Sequence, residues 1–339
     1  MKIVLSLFIL LLVVTIHEWG HFIAGKMCGV RVYEFAIGFG PKITSWFRNG
    51  TKYSVRIFPL GGFCSFEMGE TKNSPKEEQA YKEFDGSKYI EFPKASFWKK
   101  LFITLNGIIM NFILAIIIFW GLFSFVGTQS MYVDTIMPGS VAEQIGIQKE
   151  DKILSINGRE VNTIQEFTGD KDFLNPNGFT IAIERNGEII ELKVPSLEEE
   201  GKIGIQFALN KSVGSAFKES FKTLGDMLSE IFGILKRIFV KVDKNVMGIV
   251  GFVGFMNGQT DINFVMILTL IAGISVSVGA FNLLPIIPLD GGAALIHIIE
   301  AIIKRPLSEK FQNVLSYLGM AFMAYLFIMV TRNDILRLF

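Results

Sequence analysis

Histidine and cysteine are scarce in this chain, and its charges nearly cancel. Only 3 histidines and 2 cysteines occur among 339 residues, and the net charge is +1. Cys28 and Cys64 cannot form a disulfide framework, and they lie too far apart in sequence to be expected as a metal-ligand pair. We therefore interpret both as packing or incidental thiols. The charge balance, without an interleaved basic and aromatic patch, excludes nucleic acid as an expected partner.

Apolar residues, by contrast, are abundant. They make up 50% of the chain, with 32 phenylalanines, which is more than a soluble domain needs. A bilayer core requires about 20 apolar residues per helix, and four stretches qualify. They run from about 3–24, 101–127, 262–284 and 313–331. The composition predicts a polytopic α-helical membrane protein with four transmembrane helices, in contact with a lipid bilayer.

The first apolar run contains the polar motif HEWGH at residues 17–21. His17 and His21 are four residues apart, so on a helix they share a face and can bind one Zn²⁺, with Glu18 beside them as a candidate general base. Chance matches to so short a motif are common in soluble helices. Histidine and glutamate are costly in lipid, however, and mark function there. A signal peptide fits poorly, because its n-region would contain only Lys2 and no small-residue cleavage site follows.

A catalytic zinc usually takes three protein ligands, so HEWGH predicts a further ligand elsewhere. Asp290 is the candidate, an acidic residue amid apolar sequence in NLLPIIPLDGG (282–292), just after prolines that interrupt the helix. The alternative is that Asp290 caps the following helix, and the two roles are compatible. His297 lies about 10 Å further along that helix and is expected to be packed or hydrogen-bonded rather than a ligand of the same ion.

Two β-rich regions are predicted outside the apolar runs. Residues 31–66 alternate apolar and polar side chains around Asn49-Gly50, which predicts a membrane-associated β-hairpin sheet next to the HEWGH end. A compact β-rich domain is predicted at about 129–208, with a short helix at Val141–Ile145. Its predicted strands are Tyr132–Met137, Lys152–Asn157, Phe179–Glu184, Ile189–Val194 and Ile203–Phe207.

These patterns suggest four regions along the chain. Residues 1–127 form an N-terminal membrane core, 128–210 the β-rich domain, 211–258 an amphipathic helix with a glycine-rich connector, and 259–339 a C-terminal membrane core. The amphipathic helix is expected to lie against the membrane or the β-rich domain, or to be packed in an ordinary core. The glycine-rich connector is expected to be either flexible or closely packed.

Lysine and arginine near the helix ends predict the orientation. They flank the connection between the first two apolar runs, which is therefore expected to be cytoplasmic. The N-terminus, the C-terminus and the β-rich domain are then extracytoplasmic, although Arg332 and Arg337 at the last helix argue mildly against this.

On these motifs, the chain resembles the site-2 protease family of intramembrane zinc metalloproteases, of the RseP type. HEWGH matches the family's HExxH, NLLPIIPLDGG its second metal motif, and Gly107–Asn111 its GxxxN element. The segments 35–42 (FAIGFGPK) and 58–63 (FPLGGF) resemble its substrate-adjacent β-loop, 138–161 a PDZ domain, and 332–339 its usual C-terminal end. The chain departs from the pattern at Ile287 and Ile108, where the family often has proline, and in having a single PDZ-like domain.

The resemblance implies a zinc endopeptidase of the bacterial cytoplasmic membrane. It would cut the transmembrane helix of a single-span protein near the cytoplasmic side, after a first cut by another protease; an anti-sigma factor and a remnant signal peptide are the substrate types expected. His17, His21 and Asp290 would bind one Zn²⁺, and Glu18 would take a proton from the attacking water. The PDZ-like domain would filter substrates by size or bind a peptide end.

Substrate contacts are expected from two asparagines and an edge strand. Asn282 is favoured for such contact, whereas for Asn111 a helix-to-helix hydrogen bond is the stronger alternative. An edge strand near either bend of the hairpin would bind an unwound substrate by β-addition. The edge-strand candidates are Gly38, Phe39, Gly40, Gly61, Gly62 and Phe63. Two other classes stay open: a metal transporter, and a catalytically inactive PDZ scaffold.

Overall fold

Helices dominate the computed structural model, which describes residues 2–67, 75–168, 177–197, 203–238 and 247–338. Ten α-helices lie in these ranges: α1 Lys2–Met27, α2 Pro75–Glu83, α3 Phe97–Val126, α4 Val141–Gln144, α5 Ile164–Thr168, α6 Val213–Ile238, α7 Ile249–Gly258, α8 Phe264–Asn282, α9 Asp290–Ile303 and α10 Glu309–Leu338. Within the described residues, α1, α3, α8 and α10 are long and apolar enough to cross a membrane. They coincide with the four predicted apolar runs.

The strands form two separate sheets. They are β1 Glu34–Arg48, β2 Thr51–Ser65, β3 Thr128–Ile136, β4 Lys152–Ile156, β5 Arg159–Glu160, β6 Phe179–Arg185, β7 Glu188–Val194 and β8 Ile205–Asn210. The chain divides into two compact units: residues 1–119 with 221–339 contain β1 and β2, and residues 120–220 contain the other strands. The prediction of apolar helices combined with a separate β-rich domain is confirmed at this level.

The hairpin of β1 and β2 lies within the predicted residues 31–66, and part of β1 pairs with two separate segments of β2. Asn49 and Gly50 join the strands with φ of 49° and 75°, the positive values that a type I′ turn requires. Glu34–Ile37 pairs with Lys52–Val55 on one side and with Gly62–Ser65 on the other. Since β1 continues to Arg48 and pairs there with the start of β2, the hairpin doubles back on itself. Gly62–Ser65 then forms one edge of this folded sheet.

A buried cluster of charges holds this sheet together. Glu34 accepts a hydrogen bond from Ser54 at 2.6 Å and pairs with Lys52 at 2.9 Å and Arg56 at 2.8 Å. Burial alone would raise the pKa of Glu34, but these hydrogen bonds, led by Ser54, hold that pKa below its usual value. A buried carboxylate with two cations and a hydroxyl is well satisfied, so the cluster favours this register over a slipped one.

The second unit is a sheet that wraps an aliphatic core. The strand order is β7-β6-β4-β3-β8, with β5 beside β4. Ile181 and Ile183 alternate along β6 with less buried residues, and Ile153 and Ile156 lie on either side of a register shift in β4. All four are 0–1% exposed. The turns that join β4 to β5 and β6 to β7 are the pairs Asn157-Gly158 and Asn186-Gly187, with positive φ at all four residues.

The connector before the last two spans is partly packed. Within α7, Phe252 and Met256 are buried against Ile9 and Val13 of α1. The first turn of α7 is also held by Asp334 of α10, which accepts hydrogen bonds from the N–H groups at 248 and 251. Of the two alternatives for the glycine-rich stretch, the described part is therefore closely packed.

The amphipathic helix α6 is packed in part as an ordinary core helix. Leu235 is buried with Leu326 of α10, as ordinary core packing requires. Phe217 and Phe221, on the same apolar face, are 48% and 49% exposed. The apolar face of α6 is therefore buried at Leu235 and about half exposed at Phe217 and Phe221.

The β-rich core makes a direct prediction about stability. Replacing Ile181 by alanine leaves a cavity in a fully buried site, so we expect the local free energy of unfolding of β6 to fall by about 2–5 kcal/mol. Hydrogen exchange of β6 peptides in the intact chain measures this change. Ile189→Ala on β7 is the matched control, because Ile189 is 71% exposed. Equal losses in the two variants would contradict the assigned core.

Candidate metal centre

Three potential metal ligands meet where α9 begins beside α1. The Nε2 atoms of His17 and His21 lie 3.3 Å apart. Asp290 Oδ2 lies 3.0 Å from His17 Nε2 and 3.2 Å from His21 Nε2. Among the described residues, these three form the one group whose donor atoms could hold a metal ion together. The two histidines are nearly buried, at 5% and 8% exposure.

The spacing of these atoms fits zinc. Ligand atoms that each lie about 2.0–2.2 Å from a tetrahedral zinc are about 3.3–3.6 Å from one another. The three observed separations, 3.0, 3.2 and 3.3 Å, are close to this spacing. Two imidazoles and a carboxylate also form a common donor set of catalytic zinc, which keeps a fourth position for water or substrate. The residues present therefore fit the ion.

Asp290 lies beside the two histidines without acting as a side-chain cap. Leu289 is the N-cap of α9 and no side chain caps the helix, so Asp290 is the first helical residue. An anionic carboxylate is favourable there because of the helix dipole. The preceding turn, which contains a cis Ile287-Pro288 bond, packs so tightly on the helix start that a Cβ at Gly291 or Gly292 would overlap its backbone.

Each histidine is oriented through its other ring nitrogen by α3. His21 Nδ1 lies 2.8 Å from the carbonyl oxygen of Ile103, so it donates there and leaves Nε2 free of its proton. His17 Nδ1 lies 3.4 Å from the side-chain nitrogen of Asn111, whose Oδ1 is buried without a hydrogen-bond partner among the described residues. Turning this amide by 180° lets Oδ1 accept from His17 Nδ1–H, which satisfies both groups.

A close approach of α3 to α1 makes these contacts possible. A Cβ at Gly107 would overlap the His21 ring and lie 2.9 Å from His17 Cε1. At Gly20, a Cβ would lie 2.5 Å from the backbone oxygen of Asn106. The Asn106 side chain donates to the Gly20 carbonyl at 2.7 Å across the same contact. Small residues thus let the two backbones touch directly behind the histidines.

Glu18 faces the edge of the hairpin sheet. Its Oε2 accepts a hydrogen bond from the backbone N–H of Cys64 at 3.0 Å, and a Cβ at Gly62 would lie 3.8 Å from Glu18 Cγ. Burial raises the pKa of the Cys64 thiol well above its usual value, so the thiol stays neutral. Cys28 and Cys64 are both free thiols. The candidate base is therefore fixed by main chain rather than by a side-chain partner.

The remaining predicted site residues are distributed unevenly around this centre. Asn111 is fully buried behind His17, while the Asn282 side chain donates to Val278 O at 3.0 Å at the end of α8. In the hairpin, Phe39 and Phe63 stack with ring centroids 6.3 Å apart. The positions with positive φ are Gly38, Gly40 and Gly61. The segment that contains Gly62 and Phe63 contacts Glu18 through the N–H group of the next residue, Cys64.

Three supporting groups were not among the predicted site residues: the Ile103 carbonyl, Gly107 and the Cys64 N–H. The first two carried a signal, since residues 103, 107 and 111 recur every four positions and so share one face of α3. The contact of Cys64 with Glu18 had no signal in the sequence, because it depends on how the hairpin folds back. Residue spacing therefore predicts the supporting groups on α3 but not the supporting group on β2.

The chain is similar to known metalloproteases over nearly its whole length. Residues 5–326 match the model of peptidase family M50. A protein of Clostridium perfringens whose name describes a zinc metalloprotease is 30% identical over 344 residues, covering 99% of each chain. One of Mesorhizobium japonicum, similarly named, is 30% identical and covers 95% of this chain and 96% of its own. Metalloprotease MmpA of Caulobacter vibrioides is 30% identical, covering 98% of this chain and 94% of its own.

Gly107 offers a test of the helix contact behind the histidines. In Gly107→Ala the added methyl group would push the imidazole rings away from Asp290, so we expect zinc affinity to fall by about 10- to 100-fold, as when supporting partners of ligands are disturbed. Zinc retained by the purified chain against a chelator measures this. Gly121→Ala, also in α3, is the control, because a Cβ there meets no other atom within 4 Å. Unchanged zinc retention in Gly107→Ala would show that the close approach is not required.

Proposed function

The chain belongs to peptidase family M50 and is a zinc metalloendopeptidase of a membrane, and on this basis we propose that it cuts the spanning helices of single-span membrane proteins. The observation that carries the proposal is the position of the site. His17, Glu18 and His21 lie in a helix that is long and apolar enough to span the bilayer, so peptide bonds that reach them are those of other spanning segments.

The residues of the site divide the chemistry between them. His17, His21 and Asp290 would hold the zinc ion, which when bound acts as a Lewis acid toward the peptide carbonyl. Glu18 takes a proton from the attacking water while the water oxygen bonds to the carbonyl carbon. The same carboxyl then gives this proton to the leaving nitrogen as the C–N bond breaks. The hydrogen bond from Cys64 N–H to Glu18 Oε2 would hold the carboxylate in one orientation during both transfers.

A spanning helix must be locally unwound before it can be cut, because its backbone groups are bonded to one another. The edge Gly62–Ser65, whose other side pairs with Glu34–Ile37, supports a route for this. An unwound substrate segment would pair with the edge by β-addition and would then pass Glu18 in an extended form. The main-chain bonds that the segment gains offset part of the helix bonds that it loses.

The proposal also specifies the membrane and the topology. The protein would lie in the bacterial cytoplasmic membrane, with both termini and the β-rich domain extracytoplasmic and the active site toward the cytoplasmic side, as the basic residues near Lys99 and Lys304 favour. The unit with β3–β8 would be the single PDZ-like domain. It would restrict large ectodomains or bind a peptide end, so that substrates arrive after a first cut. Anti-sigma factors and remnant signal peptides have this form.

Glu18→Gln separates this function from its rivals. The amide cannot accept the proton, so we expect cleavage of a single-span substrate to fall by at least about 100-fold while zinc is retained. Asp290→Asn should lose both zinc and cleavage, whereas Asp261→Asn, at an exposed position outside the site, should lose neither. Zinc content and cleavage of the purified variants in bilayers are the measurements.

The alternatives give different results in the same assay. Zinc-dependent cleavage that persists in Glu18→Gln would contradict the mechanism. Zinc transport into vesicles without cleavage would favour a metal transporter. A cellular phenotype that disappears on deletion of residues 128–210 but not in Glu18→Gln would favour an inactive scaffold. Membranes from cells with the wild-type protein and from cells with Glu18→Gln should also be compared by proteomics. A single-span fragment should be stabilised in the cells with Glu18→Gln.

Local unwinding makes a prediction about the substrate. A glycine costs a helix about 1 kcal/mol relative to alanine, so an alanine-to-glycine change near the cut should speed cleavage about fivefold if unwinding limits the rate. The same change placed two turns away from the cut, within the same substrate helix, is the matched control. Cleavage rates of the two peptides in vesicles decide the matter. Equal rates would mean that the helix reaches the site without unwinding at that point.

A further inference from the structure

A cavity with a cationic lining opens where α3 begins and α9 ends. Its volume is about 330 Å³, and its lining includes Phe97 and Lys100 of α3, His297 of α9, and Lys304 and Arg305 just after α9. We call this feature the cationic cavity. All of its lining residues belong to the unit that contains the metal centre, but none of them is a ligand or a neighbour of Glu18.

Three of the residues that line the cavity carry a positive charge: Lys100, Lys304 and Arg305. Among the described residues, no carboxylate forms an ion pair with Lys100, Lys304 or Arg305. Glu300 is the one acidic residue of the lining, and its carboxylate faces the loop that follows α9. There its Oε1 accepts hydrogen bonds from Leu307 N at 2.9 Å and Gln312 Nε2 at 3.4 Å. Three cations thus converge on a space whose only carboxylate is already hydrogen-bonded elsewhere.

His297 adds a polar atom that lacks a partner. Its Nδ1 is buried and makes no hydrogen bond within the described part of the chain, and Glu300 Oε2, at 4.0 Å, is beyond hydrogen-bond distance. The ring is held in place by edge-on packing against Phe92, with centroids 5.8 Å apart. His297 therefore contributes a polar ring to the wall of the cavity, while its unpaired Nδ1 is itself shielded from solvent.

We propose that the cationic cavity binds the phosphate headgroup of an anionic phospholipid from the surrounding bilayer. Basic pockets between spanning helices at a membrane surface are typical of such binding. A volume near 330 Å³ is at the small end of ligand sites, which suits a headgroup rather than a peptide.

Neighbouring residues favour a lipid over free phosphate. Trp98, in the first turn of α3, is 74% exposed, and Ile302, in the last turn of α9, is 73% exposed. A tryptophan beside basic residues at a helix end is typical of the membrane interface. These exposed apolar side chains near the cavity provide a surface for acyl chains. Inorganic phosphate has no acyl chains and would gain nothing from this surface.

The position of the cavity gives the ligand a structural consequence. Lys100 precedes Gly107 by seven residues on α3, and His297 follows Asp290 by seven residues on α9. Both intervals are about two helical turns, or roughly 10 Å. A bound headgroup would therefore bridge the two helices that bring Gly107 and Asp290 to the metal centre.

The test is lipid retention by the full-length chain. The protein would be purified in detergent micelles doped with equal amounts of phosphatidylglycerol and phosphatidylcholine, and the lipids retained would be counted by native mass spectrometry. We expect phosphatidylglycerol to be retained preferentially by the wild type. In the triple variant Lys100→Gln, Lys304→Gln, Arg305→Gln this preference should fall by at least about tenfold, since each basic residue contributes about fivefold.

A charge-matched control removes three other exposed lysines, as Lys211→Gln, Lys218→Gln and Lys236→Gln, and should leave the preference unchanged. Should the triple variant fail to fold, Lys100→Gln alone tests the same site with a smaller expected loss. Equal retention of the two lipids by the wild type, or an equal loss in the control, would overturn the proposal. Displacement of the lipid by millimolar inorganic phosphate would also overturn it, in favour of a free-phosphate site.

Discussion

The mutual dependence of His17, His21 and Asp290 is the constraint around which the membrane unit is organised. In a helix that faces lipid, each of these side chains alone would be unsatisfied at a high free-energy cost. Their donor atoms lie within 3.0–3.3 Å of one another, which is possible only if α9 begins beside the middle of α1. The interrupted helix is therefore a requirement of the site, since an uninterrupted α8 would carry Asp290 past the histidines.

Close helix packing satisfies the rest of this polar cluster. Helices in lipid gain little from hydrophobic association and depend on small residues and hydrogen bonds between them. Gly20 and Gly107 let α1 and α3 touch, and Ile103 and Asn111 then lie within reach of the second ring nitrogens of the histidines. One face of α3 thereby sets both the tautomers and the orientations of the rings. The candidate metal centre consequently depends on three helices, although its three candidate ligands lie on two of them.

The helical half of this arrangement could be predicted from the sequence, because hydropathy and residue spacing are local signals. The first three spans, the Asn49-Gly50 turn and five strands of the β-rich domain were predicted within about four residues of their observed ends. The last span extends seven residues beyond its predicted end at 331, and β5 was not predicted. The second pairing of Glu34–Ile37 was not predicted, since it depends on Lys52 and Arg56 meeting one buried carboxylate. The hydrogen bonds between the start of α7 and Asp334 of α10 were also not predicted, because these segments are far apart in the sequence. Contacts between distant segments leave no periodic signal along the chain.

The folded-back hairpin addresses a problem that the helices alone leave unsolved. A metal centre enclosed by helices presents only side chains, whereas a peptide substrate in the bilayer must replace the hydrogen bonds of its own backbone. Gly62–Ser65 presents backbone groups at the same depth as Glu18, as the bond from Cys64 N–H to the Glu18 carboxylate shows. Since Gly62 has no side chain, another backbone can approach this edge closely. The strand that orients the general base is thus also the one best suited to hold the bond that the base acts upon.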